Sequence, residues 1–425
     1  MWQKIGRIVI LVLCLVGIGG FIYLDNIEEL NSGEMELSFY VGDEVIRAWK
    51  GESAYYLFLP SYADVSDLRL TSYARAFEVI STGEKVKKGD SLHSFSDNKK
   101  YSCRSLSNNE EFIFCIMQSF NLPTIFLETD SGTIENIWAD KEVEENGKIQ
   151  VISTDGELLY AGGLNSVKAR GNYSFANYEK KPFSITLKDE VSLLGLGAGQ
   201  KYALLSNASD PTLIRNDIAR RLEAAVGAEY DNIGRFVDLY ANGEYLGNYY
   251  LCENIEIGDG RIAVTDLEEQ MDLIYGKSNY ESLEEYNVDY THAKIMEEIP
   301  EDITGGYLLE REFEDRYILE YWENPSGFVS DNNEHFFIKS PKYCAVEQVE
   351  YLKAYMNEAE EAILSSDSIC KATGKSYEEY IDVDSFVKKY LVEEITKNYD
   401  GGVSSMYFYK DSDSVDARIK AAPIW

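Results

Sequence analysis

Period-two alternation is the feature that most limits how this chain can fold. Between residues 34 and 120, runs such as "MELSFYVG", "SAYYLFLPSY", "DLRLTSY", "AFEVIST" and "EEFIFCIMQS" alternate in strand fashion, with turn residues between them. Side chains of a strand point to opposite faces in turn, so such runs bury one face and solvate the other. Residues 31–120 are therefore expected to form a small β-sandwich, with "SFSDNKK" and "SLSNNEE" as loops. The 32 tyrosines, against 18 Phe and 5 Trp, agree, because Tyr suits strands and half-buried faces. Nothing in this segment carries recognisable chemistry.

From residue 121 the texture changes. "LPTIFLETD", "IWADKEVEENGKIQVIS", "LLYAGGLNSVKARG", "PFSITLK" and "KYALLSN" continue as strands. "SNASDPTLIRNDIARRLEAAVG" then switches to helical spacing at Leu213, Ile214, Ile218, Leu222 and Val226. Asp210 is its expected N-cap, Pro211 its first residue and Gly227 its stop. In "RFVDLYANGEYLGNYYLCENIEIG", Asn242-Gly243 joins two alternating strands, the best short hairpin signal in the chain. Residues 265–303 are acidic and weakly periodic, as a surface insertion would be. "GGYLLERE", "RYILEYW" and "HFFIKSP" are expected strands. "VEQVEYLKAYMNEAEEAILSS" and "DVDSFVKKYLVEEITKNYD" are expected helices. Strands first and helices later is an α+β order with two lobes.

Charge narrows the function. Lys and Arg total 40 against 74 Asp and Glu, a net charge of −34. Such a surface repels nucleic acid and anionic lipid, so no nucleic-acid partner is expected and any bound anion needs a local basic pocket. At the N-terminus, Lys4 and Arg7 precede 17 uncharged residues, Ile8 to Leu24, and Asp25, Glu28 and Glu29 follow. Residues 1–30 are expected to be a signal-anchor, a single transmembrane helix with the N-terminus inside and the body extracytoplasmic at the cell membrane. A cleaved signal would export the body equally. Five cysteines lie outside that segment: Cys103, Cys115, Cys252, Cys344 and Cys370. An odd number at irregular spacing is no disulfide framework, and pairing of Cys103 with Cys115 across a hairpin stays open. Three histidines and no C-x-x-C argue against a Cys/His zinc site.

Two stretches can carry chemistry. "VKARGNYSFANYEKKPFSITLK" gathers Lys168, Arg170, Lys180, Lys181 and Lys188 around a Gly/Asn/Ser loop. Backbone amides followed by a Lys pair can cradle phosphates, although neither G-x-x-x-x-G-K-[ST] nor G-x-G-x-x-G is present. The same lysines would equally solvate one face of a hairpin. In "EEITKNYDGGVSSMYFYKD", Asn398 and Asp400 fall where a helix gives way to a loop, backed by Gly401-Gly402. A carboxylate there is placed to act as a base or metal ligand. The pair can also simply end the helix.

Six blocks taken together resemble the spore coat protein H (CotH) kinase family: "RGNYS…KKPFSITL", "LLGLGAGQKYALLSNASDPTLIRNDIARRL", "FVDLYANGEYLGNYYLCENIEIG", "GGYLLE", "FFIKSP" and "YLVEEITKNYDGGVSSMYFYKD". They follow the family's order over roughly 121–425. The resemblance implies a divergent protein-kinase-like two-lobed fold over 121–425. It also implies transfer of the ATP γ-phosphoryl group to Ser/Thr of protein substrates, with Mg (or Mn). In spore-forming members the substrates are coat proteins, and fungal relatives of the fold act as surface adhesins. A non-catalytic surface or spore-coat binding protein is thus the second expectation. Phosphoryl transfer needs cations around the phosphates, a carboxylate-held metal and a base near the acceptor hydroxyl. Carried over by position, Asp400 in "NYD" matches the catalytic aspartate. Arg170 and Lys181 match the "RGN…KKP" block as phosphate contacts, with Asn172 beside them and Lys180 as the rival of Lys181. Asn398 and Ser405, the latter five residues after Asp400, are the expected metal contacts.

One departure bears on activity. The family's "P-[VIL]-W" block is followed by an acidic D-x-D that supplies the principal metal ligand, and this sequence ends at "APIW" on Trp425. The helical lobe is therefore expected to be incomplete. These 425 residues alone are expected to incorporate no phosphate into casein or a Ser-rich peptide. Mg-dependent labelling by the 425-residue chain would refute this.

Overall fold

In the computed structural model of the chain, residues 36–72, 75–93, 95–258, 260–421, 423 and 424 are described. The expected membrane segment, residues 1–30, lies outside them. No helix among the described residues is long and apolar enough to cross a membrane. The structure is a mixed α+β fold with several sheets, and the chain divides into two compact units.

The first unit comprises Met1–Gly171, Glu179–Lys181 and Phe236–Tyr249, so the expected boundary at residue 120 falls inside it. The regular elements of its residues 36–120 are nearly all short strands. β1 (Ser38–Val41), β2 (Glu44–Arg47) and β5 (Arg69–Leu70) make a three-stranded sheet. A six-stranded sheet runs β3 (Trp49–Lys50), β4 (Tyr55–Leu59), β9 (Glu111–Gln118), β8 (Lys100–Ser105), β6 (Phe77–Val79), β7 (Glu84–Val86). The alternation seen in sequence is the burial pattern: Tyr55, Leu57 and Leu59 face inward and their neighbours are half-buried. Both sheets bury side chains in one core, where Phe39 stacks on Phe114 at 5.5 Å. That core continues into Phe126, Ile152 and Tyr240. These sit on β10 (Thr124–Thr129), β11 (Glu144–Ile152) and β15 (Arg235–Ala241). β10 pairs antiparallel with β11 and parallel with β15, and β11 pairs antiparallel with β12 (Leu158–Ala169), beyond the short helix α1 (Glu135–Ala139).

The expected Asn242-Gly243 turn is present. Both residues have positive φ, 48° and 84°, as a two-residue hairpin turn between right-twisted strands requires. It leads into β16 (Glu244–Glu253). Cys103 and Cys115 are free and buried. On the paired strands Cys103 faces Phe112 and Cys115 faces Lys100, so a bridge between them is excluded by register.

The second unit holds Asn172–Tyr178, Pro182–Arg235 and Tyr250–Trp425. It begins with the short helix α2 (Tyr173–Asn177). β13 (Phe183–Val191) and β14 (Gly199–Leu205) pair antiparallel, and β14 pairs with residues Tyr250–Glu253 of β16. The helix expected from Asp210 starts later, as α3 (Arg215–Ala225). Asp210 instead holds a preceding turn, accepting from the amides of Thr212 and Arg215 at 2.9 Å. The expected apolar face is buried only in part: Leu213, Leu222 and Val226 are half-buried and Ile214 and Ile218 exposed, while Arg220 and Glu223 are buried. Hydrogen bonds account for it. Arg220 Nη1 donates to Asn232 O at 2.5 Å, and Glu223 Oε1 accepts from Ile424 N at 2.8 Å.

Residues 265–303 are no surface insertion. They form α4 (Leu267–Tyr275), β17 (Glu285–Val288) and β18 (Thr291–Lys294), and every residue of β18 is buried. These strands edge a seven-stranded antiparallel sheet in the order β17, β18, β20 (Gly327–Val329), β21 (His335–Ser340), β19 (Tyr307–Glu312), β22 (Met406–Lys410), β23 (Ile419–Ala421). "RYILE", expected as strand, belongs to the helix α5 (Glu314–Glu320). The two later helices are as expected: α6 (Val346–Leu364) and α7 (Val383–Thr396). α6 buries Val349, Leu352, Tyr355, Ala359 and Ala362, at helical spacing, in the core that holds Leu309, Phe328, Phe336 and Ile338 of the sheet.

Leu309 lies on β19, between β21 and β22, and has no solvent exposure. Leu309→Ala is expected to cost about 2–5 kcal/mol, read as a lowered urea midpoint at unchanged slope.

Candidate active site

The catalytic loop expected from sequence is the connection from α7 to β22. α7 ends on Lys397, whose left-handed backbone (φ 55°) turns the chain out of the helix. Asn398 closes the helix end: its Nδ2 donates to Glu393 Oε2 at 2.6 Å and its Oδ1 accepts from Asp400 N at 3.3 Å. The carbonyl of Asp400 then accepts from Val403 N (2.9 Å) and Ser404 N (3.1 Å), curling the loop on itself. The Asp400 side chain is exposed, and its carboxylate makes no hydrogen bond or ion pair among the described residues. A carboxylate held on a fixed backbone yet open to solvent can accept a proton or a cation.

The far end of the loop is clasped by the end of β19. Glu312 has no solvent exposure. Its Oε2 accepts from Ser404 Oγ at 2.6 Å, and its Oε1 from Ser405 N at 3.0 Å and Ser405 Oγ at 3.3 Å. Ser405 has φ 53°, a left-handed conformation unusual for a residue with a Cβ, held there by these bonds. Burial pushes the Glu312 carboxyl above its ordinary range, opposed by the Ser404 hydrogen bond and the Arg316 charge. Next to it, Arg311 donates from Nη1 to Gly402 O at 2.8 Å and from Nε to Glu334 at 2.5 Å.

Arg316 extends the cluster. Its Nε lies 3.5 Å from Glu312 Oε1 and 3.1 Å from Glu320 Oε1, and its Nη1 lies 3.4 Å from Ser404 Oγ. Glu320 Oε1 in turn accepts from Asn172 Nδ2 at 2.8 Å. Of the residues expected from sequence, Asn172, Asn398, Asp400 and Ser405 therefore belong to one connected hydrogen-bonded cluster in the second unit. Glu312, Arg316 and Glu320 were not anticipated. Their signal was present as a four-residue spacing, E-x-x-x-R-x-x-x-E, whose last two charges, Arg316 and Glu320, share one face of α5 while Glu312 ends β19. It was hidden because "RYILEYW" alternates like a strand.

The first unit holds the remaining cations. Arg170 follows β12 directly and is half-buried, and Lys168 is exposed opposite Glu144. Lys180 Nζ donates to the backbone carbonyl of Asn248 and lies 4.5 Å from the Tyr249 ring centroid. Burial brings its amine down to about 8. Lys181 is half-buried, and its carbonyl accepts from Tyr249 Oη at 2.8 Å. Of the two lysines, Lys180 has its amine committed to the protein backbone. Among the described residues, no group of three or more His, Cys, Asp or Glu is arranged to hold a metal ion. Mg²⁺ does not need one, since it commonly takes one or two carboxylates together with phosphate oxygens and waters.

A family model described as CotH kinase protein matches residues 167–425, well over half of the chain. No curated protein matches the sequence.

Competitive acetylation of the folded protein, followed peptide by peptide, is expected to give Lys180 a reactivity midpoint near pH 8, against about 10.4 for an ordinary lysine. A midpoint above about 10 would show that its burial does not disfavour the charged form.

Proposed function

From the membership of this chain in the CotH kinase family, we propose that the protein to which these 425 residues belong transfers the ATP γ-phosphoryl group to Ser/Thr hydroxyls of proteins. The observation that carries this reading is the exposed Asp400 carboxylate, without a partner among the described residues, on a loop fixed at both ends. Asp400 accepts the proton of the acceptor hydroxyl, or orients it, as the new P–O bond forms and ADP leaves. Arg170, Lys181 and Asn172 are assigned to the phosphates. Asn398, through Oδ1, and Ser405 are assigned to the divalent metal, Mg or Mn. The metal supplies charge neutralisation at the β- and γ-phosphates when bound. The net charge of −34 favours cationic protein substrates over acidic ones. Lys4 and Arg7 before the apolar run, and the acidic residues after it, support a single-pass anchor with the body outside the membrane.

One observation favours a second reading, a surface protein that binds a partner without catalysis. α7 exposes Val387, Tyr390, Leu391 and Ile395, an apolar stripe at helical spacing, and Tyr399 beyond its end is also exposed.

ATP-dependent autophosphorylation of the natively produced protein, with Mg²⁺, separates the two. Asp400→Asn is expected to lower labelling by about 10²–10⁴-fold with its melting temperature unchanged. Equal labelling of both proteins would remove Asp400 from the role of base. No labelling of either would favour the binding reading.

A further inference from the structure

Asn172 and the loop carrying Asp400 lie far apart in sequence and are linked by a series of side-chain contacts. Asn172 Nδ2 meets Glu320 Oε1 at 2.8 Å, and Arg316 Nε meets the same oxygen at 3.1 Å. Arg316 also reaches Glu312 Oε1 at 3.5 Å and Ser404 Oγ at 3.4 Å. Glu312 holds the Ser405 amide at 3.0 Å and the Ser404 hydroxyl at 2.6 Å. Each contact lies within the second unit.

The charges explain why the series behaves as one object. Glu312 is fully buried and Glu320 largely so, and a buried carboxylate without a partner carries a desolvation cost of several kcal/mol or more. The Arg316 guanidinium lies against both. Its planar fork donates in more than one direction, which a lysine ammonium at the same point does less well. If Arg316 moves towards one carboxylate, the other loses its counter-charge. Asn172, by bonding Glu320, biases where Arg316 sits, and Arg316 biases how firmly Glu312 clasps Ser404 and Ser405. The strained left-handed backbone of Ser405 adds sensitivity, because it relaxes when the clasp loosens.

We propose that Arg316 is a positioning residue that couples the R-G-N loop at Asn172 to the loop that carries Asp400. A ligand group that draws Asn172 away from Glu320 thereby changes the order of the Asp400 loop. The mechanical coupling stands on the geometry; its meaning for catalysis rests on Asp400 being the base.

Amide hydrogen exchange on the full 425-residue chain tests this with no nucleotide present, so it can succeed where phosphate transfer fails, and the reverse. The readout is the Ser405 amide, with α6 amides as the control for global fold. Arg316→Met is expected to speed Ser405 exchange by about 10–100-fold, and Arg316→Lys to recover part of that. Asn172→Ala is expected to speed it by about 3–10-fold, and the double variant to be no faster than Arg316→Met alone. If Arg316→Met does not fold, the Asn172→Ala and Ser404→Ala cycle gives the same information, with non-additive acceleration expected. Unchanged Ser405 exchange in Asn172→Ala, or effects that simply multiply in either cycle, would overturn the coupling.

Discussion

The second unit depends on the buried carboxylate of Glu312. A lone ionised carboxylate in that position would be strongly unfavourable, and it is tolerated because two hydroxyls, one amide and a guanidinium surround it. The requirement runs both ways. Ser404 and Ser405 must lie at the end of β19, so the loop after α7 cannot wander. β22, which begins directly after Ser405, is delivered in register beside β19, with Arg311 opposite Met406 and Tyr307 opposite Lys410. One buried, hydrogen-bonded carboxylate thus sets the loop, the strand that follows it and the position of Asp400.

Legibility in the sequence tracked how local the cause was. The alternating runs of residues 36–120, the Asn242-Gly243 turn and the helices α6 and α7 were all readable, because neighbouring residues decide them. Misreadings came where distant partners decide. Asp210 looked like a helix cap and caps a turn, since the amides it accepts from, Thr212 and Arg215, belong to the turn before α3 and to its first residue. α3 showed an apolar stripe but buries Arg220 and Glu223, because Asn232 and Ile424 offer them partners. Residues 265–303 looked like solvent-facing insertion, yet β18 is covered on both faces by neighbours far away in sequence. At the site, family likeness found the loop residues, while the charges that hold the loop required the fold.

The cations of this acidic protein also divide into two kinds. Lys180 serves the structure, capping the Asn248 carbonyl and lying against Tyr249, and burial makes its charge harder to keep. Arg316 serves two carboxylates at once. A count of basic residues in "RGNYSFANYEKKPF" therefore overstates the positive charge available to a phosphate. The loop's contribution is better measured by which cations keep water as a neighbour.

The five described cysteines are all free and all buried, and burial raises the Cys103 thiol to about 12. A thiol in that range is almost never a thiolate at neutral pH, so it neither attacks disulfides nor oxidises readily. In an oxidising compartment the native fold is then its own antioxidant. Unfolding would expose these five thiols, none of which is bridged in the described structure, and each pairing between them would trap the chain. Under such conditions the lifetime of this protein is set by how rarely it opens, a kinetic quantity, rather than by the depth of its free-energy minimum.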